Sequence, residues 1–76
     1  MKNRPEVSKT DIEIFEKYVD GYGMLRVINT LSYIASEKSI HVGENWQDVA
    51  LAQRWMGYSV CLDGCHRRLE DIDADL

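Results

Sequence analysis

Cys61, Cys65 and His66 are the residues of this sequence whose types and spacing could do chemistry: together they form a C-x3-C-H cluster. Thiolates and imidazole suit zinc, and a closed structural zinc site takes four ligands. The only other histidine is His41. In an antiparallel pair of helices the two histidines fall at opposite ends. The 20 residues from Trp46 to His66 span about 30 Å of helix at ~1.5 Å per residue, so one metal cannot take both. A Cys61–Cys65 bridge across one helical turn would hold the Cβ atoms nearly 6 Å apart, against the ~3.8 Å usual in a disulfide. It needs the helix to break at Gly64. Catalysis by Cys65 with His66 as its base fails on direction, because adjacent helical residues point about 100° apart. The cysteines are therefore read as structural, with no catalytic residue, metal or cofactor. A thiol or metal module built on Cys61, Cys65 and His66 is the alternative.

The elements that would carry these residues are helical. Thr10-x-x-Glu13 has the form of a capping box and opens a short helix over about 11–20, with Ile12, Phe15, Tyr18 and Val19 on one side. Gly21-Tyr22-Gly23 punctuates it. A second helix over about 22–42 gathers Met24, Val27, Ile28, Leu31, Ile34, Ala35 and Val42 within an arc of about 120°. Asn29, Ser32, Ser36 and Ser39 take the other side. Gly43 suits a left-handed C-cap and Asn45 an N-cap, with Asp48 near the positive end of the helix that follows. This third helix, about 46–69, repeats Ala52, Trp55, Ser59, Leu62, His66 and Leu69 at spacings of three and four. Val49, Met56 and Val60 flank one edge of this stripe, Leu51 and Tyr58 the other, an apolar arc of about 200°. Ala50, Gly57, Cys61 and Gly64 oppose it, a face that close approach by another helix would explain. A continuous helix through Asp63-Gly64 is the favoured reading, and a break there the alternative. No sustained alternation marks a strand. The sequence predicts an all-α domain over residues 1–76: an antiparallel hairpin with a short N-terminal helix, a polar lead-in (1–9) and an acidic tail (70–76) that frays against the negative helix end.

Two surfaces could bind. Tyr22, Arg26 and Tyr33 form an aromatic patch, and tyrosine and arginine are residues that anchor interfaces. Glu70, Asp71, Asp73 and Asp75 make the tail either a solvated end or an acidic face that imitates nucleic-acid charge; Asp11, Glu13, Glu16 and Asp20 could extend it. Trp46 and Trp55 are expected in the core. His41 is expected to cap carbonyls and pack on Trp46.

Composition bounds the function. The chain has 76 residues and a net charge of −4, too small for a large substrate cleft. Charge of this sign disfavours direct binding to nucleic acid, which needs a basic patch; Lys2, Arg4 and Lys9, with Arg67 and Arg68, keep such a regulator as an alternative. No apolar run is long enough to span a membrane, no signal peptide is read, and a cytoplasmic protein with reduced cysteines is expected. A lone chain of this length is marginally stable, and the wide apolar arc of the third helix predicts self-association, a homodimer.

Tyr22-Gly23-Met24-Leu25-Arg26-Val27-Ile28, then Glu37-Lys38 with His41, then Asn45-Trp46-Gln47-Asp48 and Ala50-x-Ala52 with Trp55 form an ordered set. It resembles a group of small uncharacterised helical proteins of phages, plasmids and bacterial chromosomes, which share a Y-G start, an E-K-x-x-H segment and an N-W-Q-D turn. The resemblance covers residues 20–56, omits the cysteines and the tail, and brings no known activity. It implies an accessory protein of mobile DNA. Such proteins often inhibit or redirect a host complex, and inhibitors of nucleic-acid-guided defence, the anti-CRISPR class, share this size and acidity. The expected function is non-enzymatic: binding a host protein or protein–nucleic acid complex.

Overall fold

The computed structural model describes residues 7–74. Its chain forms α1 (Lys9–Tyr22), α2 (Met24–His41) and α3 (Val49–Ala74), with one π turn, Val42–Trp46, between the last two. Among the described residues there is no strand, and α2 and α3 form the antiparallel hairpin. No helix among them is long and apolar enough to cross a membrane. Of the lead-in, residues 1–6 lie outside the described range, as do Asp75 and Leu76 of the tail.

Each boundary has a local cause. The N-cap of α1 is Ser8, not Thr10: its hydroxyl accepts from the Asp11 amide at 3.0 Å. Shifting the cap two residues upstream places Val7 before the cap and Ile12 at the fourth helical position, the spacing of a hydrophobic staple. Between α1 and α2 stands Gly23, at φ 86° and ψ 157°, a conformation essentially reserved for glycine. It lets the chain turn while its amide still closes on the Val19 carbonyl at 2.9 Å.

The α2–α3 connection differs from the sequence expectation. Gly43 is not left-handed; Gln47 is, at φ 55° and ψ 32°. Asn45 does not cap α3. Its Nδ2 donates back to the His41 carbonyl at 3.1 Å and lies 3.0 Å from His41 Nδ1. With Asn45 holding the wide π turn closed, the cap passes to Asp48, whose Oδ1 accepts from the Leu51 amide at 3.0 Å. From there α3 runs unbroken through Gly57 and Gly64 to Ala74. The helix does not end at 69: it continues past half-buried Leu69 to Ala74.

The seam between α2 and α3 is made of small residues. Ser32, Ala35, Ser39 and Val42 are buried from α2, and Ser59 from α3. The serines expected on the outer side of α2 thus face inward. Ser39 Oγ donates to the Ala52 carbonyl at 2.7 Å, and Ser32 Oγ meets the Ser59 carbonyl at 3.2 Å and the Ser59 hydroxyl at 3.1 Å. These two pairings lie seven residues apart on both helices and run in opposite senses, two turns of a regular antiparallel packing. Small side chains bring the backbones close enough for a hydroxyl to reach a helix carbonyl. Among the described residues every buried hydroxyl is satisfied, which removes the cost of burying it.

The close seam leaves the larger apolar groups outside. On α3 the stripe Ala52, Trp55, Ser59, Leu62, His66 and Leu69 is turned inward, but only Ser59 is fully buried. On α2, Met24, Leu31 and Ile34 of the expected core are exposed, and Val27 and Ile28 half-buried. Along α1 only Val19 is half-buried; this helix leans on α2 and does not reach α3. The radius of gyration, 14.9 Å, exceeds the roughly 11 Å of a compact domain of this length.

Candidate interaction surface

Two shallow grooves sit on α2, and Ile34 lines both. The first lies between α1 and α2. Phe15, Tyr18 and Tyr22 form one wall; Arg26, Val27, Thr30, Leu31 and Ile34 form the other. Tyr18 and Tyr22 stack at 6.3 Å because they are four apart on α1. The Arg26 guanidinium lies over the Tyr22 ring at 5.0 Å, a cation–π contact that bridges the kink at Gly23. The second groove lies where α2, the π turn and the start of α3 meet. Its walls include Tyr33, Lys38, His41, Trp46 and Trp55. Lys38 Nζ stands 5.6 Å over the Trp55 ring, and Tyr58 meets the same ring edge-on at 5.3 Å.

Tyr22, Arg26 and Tyr33 are therefore not one cluster. Tyr22 and Arg26 touch, whereas Tyr33 opens onto the second groove, seven residues and about 10 Å further along the helix at ~1.5 Å per residue. The sequence reading missed Phe15 and Tyr18 as partners of Tyr22. Phe15, Tyr18 and Tyr22 follow one another at i, i+3 and i, i+4 spacing, which puts them on one side of α1. Trp46 is not core: it is 69% exposed, because it closes the π turn beyond the ends of the paired helices. His41 does meet it, with ring centroids 6.3 Å apart.

Glu70, Asp71 and Asp73 are exposed along the last turns of α3. Glu70 Oε1 lies 3.8 Å from His66 Nδ1, one turn earlier on the same helix; Asp75 lies outside the described residues. Asp11, Glu13, Glu16 and Asp20 are exposed on α1.

Cys61 and Cys65 are free and exposed, and His66 is half-buried. All three sit on unbroken helix, so the break that a disulfide requires is not there. Among the described residues no three His, Cys, Asp or Glu side chains converge on a metal-sized site. Ala50, Gly57, Cys61 and Gly64 do not meet another helix: a Cβ built on Gly57 or Gly64 would find nothing within 4 Å.

Comparison with protein families, curated proteins and solved structures finds no match to this chain.

Proposed function

We propose that this protein is a non-enzymatic interaction module that associates with itself and binds a host protein or protein–nucleic acid complex. The observation that carries the reading is the placement of its large apolar groups. Phe15, Tyr18, Tyr22, Tyr33 and Trp46 are all half or more exposed, while the seam inside the hairpin is built from serine and alanine. Aromatic side chains bring large contact area to an interface, and exposed apolar patches lined by polar groups mark interaction sites. A Tyr22–Arg26 pair held in place before binding adds an anchor of the type that dominates interface energies.

The resemblance over residues 20–56 suggests the setting: an accessory protein of phages or other mobile elements, acting in the cytoplasm to inhibit or modulate a host defence complex. The exposed carboxylates of α1 and of Glu70, Asp71 and Asp73 give such a module a field that steers it toward basic surfaces. That field, with Arg67 and Arg68 set among carboxylates, works against direct contact with nucleic acid.

The test is affinity capture from a bacterial host lysate, with mass spectrometry of the recovered proteins, run in parallel with a Tyr22→Ala, Arg26→Ala, Tyr33→Ala variant. The reading expects a defined partner with the parent and its loss with the variant. The same background with both baits contradicts it.

A further inference from the structure

We propose that the strip Val27, Leu31 and Ile34 on α2 is the twofold contact with a second copy of this chain, each copy's α1 closing over the α2–α3 groove of the other. The inference rests on the self-association in the reading above and locates its surface.

The accessible surface is 6353 Å², roughly 1,600 Å² more than a folded monomer of this mass exposes. An interface of standard size takes about 800 Å² from each partner, within that excess.

The chain also carries two incomplete halves of one packing. α1 has an apolar side of Ile12, Phe15 and Tyr18 with no buried residue, and a helix this short is marginal unless that side is covered. The α2–α3 groove offers Ile34, Leu51, Trp46 and Trp55 as an open apolar wall. A second copy supplies each with the other, and by symmetry does so twice.

The strip suits a twofold axis. A residue on such an axis faces its own copy, so a charge there would meet a like charge. Val27, Leu31 and Ile34 carry none, and Ile34 lines both grooves. Lys38, one turn beyond Ile34, falls opposite Val27 rather than another Lys38 when two α2 helices cross antiparallel between Leu31 and Ile34. Arg26 lies roughly 120° round the helix from the strip, clear of the twofold axis.

Sedimentation equilibrium of the full chain is the experiment. The parent should give about twice the 8.8 kDa chain mass at high micromolar concentration. Leu31→Asp with Ile34→Asp should weaken association by roughly tenfold or more, Phe15→Asp should weaken it as well, and Asn29→Asp, exposed on the opposite side of α2, should leave it intact. Should the strip variant lose its helical circular dichroism, cross-linking gives the answer. In a Cys61→Ser, Cys65→Ser background, oxidation by diamide should couple a Leu31→Cys chain to an Ile34→Cys chain and not two Asn29→Cys chains. A dimer that survives the strip substitutions, or one that cross-links at 29 and not between 31 and 34, overturns the strip while self-association stands. A parent that stays monomeric overturns both and leaves the surface to a foreign partner.

Discussion

Ser32 Oγ donates to Asp63 Oδ1 at 2.6 Å, a charge-assisted bond across the α2–α3 seam between residues 31 apart in sequence. The same hydroxyl lies against Ser59. One small side chain thus fixes the register of the hairpin, and the register decides which groups are left outside. Ser32→Ala should cost about 1.5–3 kcal/mol, the range for a hydrogen bond to a charged group. Asp63→Asn, which keeps an acceptor, should cost less. Urea unfolding of the two single variants and the double variant checks this: coupling should be strong, and fully additive effects would deny the bond its role.

Volume at the seam should matter as much as hydrogen bonding. Ala35 is only 3% exposed, and a larger side chain there must push the helices apart. Ala35→Leu should destabilise by about 1–3 kcal/mol through overpacking, although it adds apolar surface. Thermal unfolding measures it, and a more stable variant would contradict a close seam.

The glycines should divide by conformation. Gly57 and Gly64 sit inside α3 with open space where a Cβ would go, so alanine at either should stabilise by about 1 kcal/mol. At Gly23 the space is equally open, but φ is 86°, and Gly23→Ala should cost about 1–3 kcal/mol in backbone strain. Opposite signs in one unfolding series are the expected result.

Much of this architecture is legible in residue patterns, and the misreadings have physical causes. The 3.6-residue period of Ala52, Trp55, Ser59, Leu62, His66 and Leu69 marks the inward side of α3, and Gly23 marks the kink. Periodicity weighs side chains by hydrophobicity, however, and so sends Ser32 and Ser39 to solvent. Their burial depends on which carbonyl of the other helix each hydroxyl meets, a fact of tertiary register. The π turn is hidden for a similar reason: Gly43, Asn45 and Asp48 all carry cap chemistry, and only the path of the chain selects Asp48. Tyr22 and Arg26 are legible as an anchor pair, whereas the apolar side of α1 with Phe15 and Tyr18 does not reveal what it faces, because an amphipathic helix that packs on a foreign surface has the same pattern as one that packs on its own.

Neutralising Glu70, Asp71, Asp73 and Asp75 to Asn or Gln should leave folding stability within about ±0.5 kcal/mol, as usual for surface changes. Its effect should fall on partner association, which slows and becomes less salt-dependent. Unfolding by urea and association rates at two salt concentrations separate the two effects. A large loss of stability would show that the tail serves the fold.

The most direct test of the central claim, that the outward aromatic surface is the working interface, is the dissociation rate of the captured partner from the parent and from the Tyr22→Ala and Arg26→Ala variants. Each substitution should cost more than about 1 kcal/mol and act mainly on dissociation, with little change in helicity. Variants that release the partner at the parent's rate would place the interface elsewhere and contradict the account.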